Sequence, residues 1–397
     1  MPSPRSDTGA RARRGRAHLA WLIVGFGLLY GLTATWDLSA NVDAISAALP
    51  AWSLVMDGTI RLDRFAGLNP WIVESAIGFV SNRPPGLSAL AVPAYALTRP
   101  EVFTNAPATA TAVAAAVGAL AVVYLVLVPL VDQRTALIAT IVMGLGTSTW
   151  SVSADSLWPH GPGQLFAALG LLYLAPAREV RSGVALGAAL LVRPVTAVST
   201  GFIGIWEAWQ QRSWRPAFRL GVPACIALAL LMGYNRFVFG SFSISGGYPA
   251  DFADRLTTPD AGGWLSNIAA VFASPDVGLL VWSPVVAVAA VGTVAVWSSL
   301  PGWTRSAALG GLVYLLVHAR LNRASGGLPF GYRYPLEPLV LLAPALTLGG
   351  VHIASLSRRL KGMLWVSIGV SVLFQLALVF LLECEDLPNT EVVCSFF

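Results

Sequence analysis

The chain has 397 residues, 56% of them hydrophobic and only 11% charged, less than half the roughly 25% charge of an ordinary soluble domain. That composition excludes a water-soluble globular protein and leaves an all-α, polytopic membrane protein with no sizeable soluble domain. The net charge of +5 reads as a membrane-orientation signal and gives no support to a nucleic-acid partner.

In chain order, residues 1–17 form a basic tail, and the apolar run behind it has no small-residue cleavage site, so it is expected to stay as a signal anchor. Apolar segments then predict about eleven spans: 18–36, 106–131, 135–150, 163–176, 183–192, 195–209, 217–239, 278–297, 306–319, 335–353 and 360–382. Several are short, which suits helices packed inside a bundle. The stretch 84–97 is apolar but opens on two prolines. With 84–97 kept out of the span count and the N-terminus cytoplasmic, 15 of 25 basic residues fall inside and 16 of 20 acidic residues fall outside. It is therefore read as a juxtamembrane or re-entrant helix within a long first outer loop, 37–105. The same topology places 383–397 outside the cell membrane, where Cys384 and Cys394 can form a disulfide. Cys225, within an apolar helix, reads as a packing residue.

Polar residues gather on the outer face. Asp43 precedes a stretch with helical apolar spacing (Ile45, Leu49, Trp52, Val55) that should end at "MDG"; an acid there is either a helix-start residue or a reactive carboxylate. "SADSLWPHGP" at 153–162 puts Asp155 and His160 at the outer boundary, as cap and interfacial residue or as an acid/base or metal pair. Arg193-Pro194 breaks an apolar stretch and reads as an outer hairpin apex. A Gly- and aromatic-rich outer loop follows 217–239. Then "RLNRASGGLPFGYRYPLEPL" collects Arg320, Arg323, Tyr332, Arg333, Tyr334 and Glu337. Arginines outside run against the positive-inside bias, and suit either lipid headgroups or a bound phosphate.

Asp43, "NRPPG" at 82–86, Asp155 after the third span and "GAALLVRP" at 187–194, in that order, resemble the polytopic glycosyltransferases of the GT-C superfamily, of the protein mannosyltransferase and aminoarabinose transferase type. "GYRYPLEPLVLLAPAL" extends the resemblance into the C-terminal half. The resemblance implies an inverting transferase that moves a sugar from a polyprenyl-phosphate donor to a hydroxyl acceptor on a glycan, lipid or protein. It implies Asp43 as catalytic carboxylate, Arg83 on the lipid phosphate and Asp155 helping to shape the site. The chain departs from it in having one acid at 42–43, Arg83 and Gly86 around the prolines, and "LWPH". His160, Arg193, Tyr332, Arg333 and Glu337 join as substrate-binding residues from their outer position. The sequence assigns no cofactor, and a divalent metal stays open. The chemistry agrees with the residue types: an acceptor hydroxyl needs one base, and a departing phosphate needs cations rather than a proton. The rival expectations are a flippase for a lipid-linked sugar, disfavoured by the absence of repeats and of mid-span acids, and a non-catalytic envelope scaffold.

Overall fold

The computed structural model describes residues 5–38, 41–248, 261–324, 328, 330–386 and 392–396, with side chains over most of that length. Its framework is helical. Helix α1 (Arg5–Thr33) leads to α2 (Val42–Asp57), a hairpin of β1 (Ile72–Ser75) and β2 (Gly78–Ser81), and α3 (Pro85–Thr98). Then follow α4 (Ala106–Leu127), α5 (Gln133–Leu145), α6 (His160–Leu174), α7 (Glu179–Val192), α8 (Thr196–Gln210) and α9 (Arg215–Phe239). After these come α10 (Ala261–Ala273), α11 (Leu279–Trp282), α12 (Pro284–Ala295), α13 (Gly302–Leu321), α14 (Leu336–Leu356) and α15 (Arg358–Phe380). Strands β3 (Leu382–Asp386) and β4 (Val392–Phe396) close the described chain.

At least one helix lies within each of the eleven predicted apolar segments. Five helices (from Arg13 in α1, then α4, α9, α14 and α15) are long and apolar enough to cross a membrane, as expected of an integral membrane protein. Helix α9 presents Phe218, Val222, Ile226, Leu230 and Phe237 outward along one face, a stripe suited to lipid. The core lies inward, where Tyr30 of α1, Leu120 and Tyr124 of α4, Leu171 of α6 and Leu341 of α14 share one buried cluster. The Tyr30 hydroxyl donates to the Gly144 carbonyl at 2.8 Å, so the polar tip of this core aromatic is satisfied.

Two predicted spans are shorter than drawn. The segment 135–150 leaves the helix at Leu145, because Gly146 and the polar run Thr147–Thr149 give way to a π-turn over Thr149–Ser153. The segment 278–297 is split at Ser283, since Pro284 has no N–H to donate and drives its predecessor out of the helical region. Helix α10 and both hairpins lacked a sequence-level expectation. The β3–β4 register sets Cys384 opposite Cys394 in the backbone, while the side chains of that expected disulfide lie outside the described residues. Cys225 is exposed on α9 rather than packed inside.

The helices alternate between two ends. At one end Gln210 meets Arg305 at 3.3 Å, Arg219 approaches Glu179 at 3.7 Å, and Arg134, Lys361 and the α14–α15 junction lie together. At the other end, α2, α3 and the β1–β2 hairpin form a cap. Helix α2 ends where expected, on Gly58 in the left-handed conformation, but Asn41 rather than Asp43 caps its start, accepting the Asp43 N–H. That leaves the Asp43 carboxylate available for other partners.

Candidate functional site

Residues scattered through the sequence converge beneath the α2–α3 cap in two linked clusters. The first is centred on Asp43. One carboxylate oxygen takes a hydrogen bond from Arg83 at 2.6 Å and the other from Arg333 at 3.0 Å. All three side chains are nearly buried, Asp43 and Arg333 each 13% exposed and Arg83 10%. Water therefore screens the ion pairs only partly, and neither guanidinium is a free headgroup anchor.

Local sequence explains why Arg83 is held so firmly. Pro84 adopts an extended conformation and Pro85 opens α3, a favoured place for proline, so the backbone at 83 has little freedom. Gly86 brings the first turn of α3 against α7, since a Cβ there would stand 2.6 Å from the Leu191 carbonyl oxygen. The Arg83 guanidinium also donates to Ser46 Oγ at 3.2 Å and to the Tyr248 hydroxyl at 2.9 Å, and lies 4.3 Å over the Trp71 ring. Arg333 lies over Trp158 at 4.7 Å and over Tyr334 at 5.3 Å.

The second cluster is deeper and centred on Glu337, in the first turn of α14 and 1% exposed. His160 Nδ1 stands 3.1 Å from one of its oxygens, Arg193 Nε 3.3 Å from the same oxygen, and the Tyr314 hydroxyl donates to the other at 3.4 Å. Arg193 also donates to the Tyr314 oxygen at 2.6 Å and approaches His318 Nε2 at 3.3 Å. Gly163, one turn after His160, makes room for the acid: a Cβ there would come within 2.9 Å of its Oε1. The His160 Nε2 atom is buried and has no hydrogen-bond partner among the described residues. Tyr334 joins the clusters, its ring lying 5.3 Å from the Arg333 guanidinium, 5.5 Å from that of Arg193 and 4.0 Å from the His318 ring.

Of the residues expected from sequence, Asp43, Arg83, Arg333, Glu337, His160 and Arg193 thus come together. Asp155 and Tyr332 do not. Asp155 Oδ1 accepts from the Thr35 N–H at 3.2 Å and the Thr35 hydroxyl at 2.7 Å, tying the π-turn loop to the end of α1. Burial pushes its carboxyl above the ordinary value, and the hydrogen bonds from Thr35 and Ser156 only partly offset this. The Asp155 side chain does not cap α6, the bland alternative for it. The Tyr332 hydroxyl lies 2.7 Å from Ser283 Oγ and accepts from the Ser148 N–H at 3.4 Å, bracing the α11–α12 break against the π-turn. Arg323 is exposed and Arg320 half-buried at the end of α13.

Sequence reasoning did not assign Tyr314, His318, Tyr248, Trp71 or Trp158 to the site. His318 carried a usable signal: it is one of four histidines in the chain and sits one helical turn after Tyr314 in the apolar stretch of its helix. Among the described residues no three His, Cys, Asp or Glu side chains gather as a metal-binding group. The chain matches no protein-family model and no curated protein with which it was compared.

Proposed function

We propose that this protein is a membrane glycosyltransferase of the GT-C type, moving a sugar from a polyprenyl-phosphate donor to a hydroxyl acceptor with inversion. The observation that carries the reading is a carboxylate, Asp43, held between two arginines that are themselves stacked on aromatic rings at one end of an apolar helical bundle. That arrangement supplies one base and two fixed cations, the groups this chemistry needs. On this reading α1, α4 to α9, α11 with α12, α13, α14 and α15 make eleven crossings, with the N-terminus and the arginine-rich end in the cytoplasm. The Asp43 site and the C-terminus then face outward, with α2 and α3 lying along the outer surface of the cell membrane.

The ion pairs suggest how the reaction is gated. With Arg83 and Arg333 bound to it, Asp43 is not free to act. A donor phosphate offers the arginines an anion in exchange, and its arrival releases the carboxylate beside the sugar. Asp43 then removes the acceptor hydroxyl proton as the acceptor oxygen bonds to the anomeric carbon. The bond from that carbon to the phosphate oxygen breaks, its electron pair stays on the phosphate, and both arginines hold the charge. The Glu337 cluster positions Arg333 through Tyr334 and touches none of the reacting atoms. The flippase alternative would place ionisable groups near mid-membrane, whereas both carboxylates here sit at helix starts at one end.

The test is turnover of a panel of labelled polyprenyl-phosphate sugars by membranes containing wild type or Asp43→Asn. The proposal expects consumption of a donor by wild type and none by the variant at equal protein level. Equal consumption by both would overturn it.

A further inference from the structure

An open apolar groove of about 520 Å³ runs between α4, α5, α12, α14 and α15, with its mouth at the end of the bundle away from the Asp43 cap. Val142, Val286, Leu346 and Ile368 are typical of its walls. Arg134 and Lys361 stand at the mouth, at the arginine-rich end. Leu339 and Ala354, one near each end of the groove, are fifteen positions apart on α14, or about 22 Å at the rise of an α-helix. That exceeds the roughly 15 Å depth of one leaflet's hydrocarbon.

The mouth carries two cations against one acid. Arg134 and Lys361 are exposed, and among the described residues neither forms a salt bridge. The nearby acid, Asp132, is occupied as the cap of α5: it accepts from the Arg134 and Thr135 N–H groups and from the Thr135 hydroxyl. The first turns of both α5 and α15 lie at this mouth; the Asp132 carboxylate offsets the positive end of the α5 dipole, whereas the α15 end, capped by the neutral Ser357 hydroxyl, adds to the two side-chain cations.

We propose that the groove is a binding site for an anionic bilayer phospholipid, its phosphate held by Arg134 and Lys361 and one chain laid along α14. The inference is independent of the proposed function, because it concerns the end of the bundle away from Asp43. A zwitterionic lipid would gain the same apolar contact but less at the mouth, so headgroup charge is what the site selects. Gly350 supplies a direct block: a Cβ there would meet only Leu364, at 4.0 Å, so a larger side chain has space to grow in this groove wall without disturbing the helix.

Purified full-length protein would be equilibrated with phosphatidylglycerol or phosphatidylcholine and its bound lipid counted by native mass spectrometry. The expected result is tighter retention of phosphatidylglycerol than of phosphatidylcholine. Its affinity should fall about 30-fold in the Arg134→Ala, Lys361→Ala double variant, the product of two surface cations. Gly350→Leu should lose it with both cations in place. Equal retention of phosphatidylcholine or unchanged phosphatidylglycerol binding in the double variant would each overturn the proposal. The double variant changes only exposed side chains, so it remains informative if Gly350→Leu folds poorly.

Discussion

The Asp43 and Glu337 clusters use the same ingredients, a carboxylate against arginine and aromatic rings, in opposite surroundings. Asp43 lies on a helix of the cap and keeps some solvent contact, with both of its cations drawn from other elements. Glu337 is sealed among α6, α13, α14 and the α7–α8 turn, with His160, Arg193 and Tyr314 all directed at it. A partly open ion pair can exchange its anion, whereas a sealed one cannot be broken without leaving charge in a low-dielectric interior. On the proposed function, the difference gives chemistry to the first cluster and rigidity to the second.

Breaking the comparison at its reactive end has the largest effect. Asp43→Asn is expected to lower donor turnover by at least about 100-fold, the scale of losing a general base, while the variant still folds at a smaller cost in stability than Glu337→Ala, because the amide oxygen still accepts from one arginine and the pair keeps some solvent contact. Labelled-donor assays paired with melting curves would check it, and a variant that fails to fold would return Asp43 to a structural role. At the sealed end the signs reverse. Glu337→Ala leaves Arg193 buried without its carboxylate and should cost about 3–5 kcal/mol of stability, seen as a large fall in melting temperature. A smaller change sharpens the distinction: Arg83→Lys keeps the charge but loses the fork that reaches Ser46, Tyr248 and Asp43 together. It should weaken phosphate binding about tenfold, measurable as a raised KM for the donor.

The smallest effect is expected outside both clusters. Asp155→Asn retains an oxygen to accept from Thr35, so turnover should change little. Its pH dependence is more informative. A carboxyl raised by burial binds its proton more tightly in the folded state than in the unfolded one. Its stabilising contribution is thus present at low pH and is lost as pH rises from the ordinary value of 3.8 through the raised one. Denaturation of wild type against pH should show this decline, and Asp155→Asn should remove it.

Much of the site was legible because charge is scarce in this chain. In so apolar a sequence, Asp43, Arg83, Arg193, Arg333 and Glu337 each stand out near a helix boundary, and alternation of the helices brings those boundaries to one end. The same logic misplaced Asp155, since proximity to the outer boundary does not say whether a carboxylate faces inward to a cavity or sideways to Thr35. Tyr314, Tyr248 and Trp71 were hidden for the converse reason: aromatic residues are ordinary in membrane helices and loops, and only tertiary contact turns them into partners of an arginine. Helix positions followed from hydropathy, but the breaks at Gly146 and Pro284 depend on how neighbouring helices satisfy the freed backbone. Ser283 Oγ, for one, donates to the Gly146 carbonyl at 2.7 Å.

The most direct test of anion exchange at Asp43 is equilibrium binding of unlabelled polyprenyl phosphate, the product lipid of the proposed reaction, to wild type, Asp43→Asn and Arg83→Ala. If the carboxylate and the phosphate compete for the same two arginines, the Asp43→Asn variant should bind the lipid at least as tightly as wild type despite being inactive, and Arg83→Ala should bind it more weakly. Loss of lipid binding in Asp43→Asn, in step with its loss of turnover, would contradict the account.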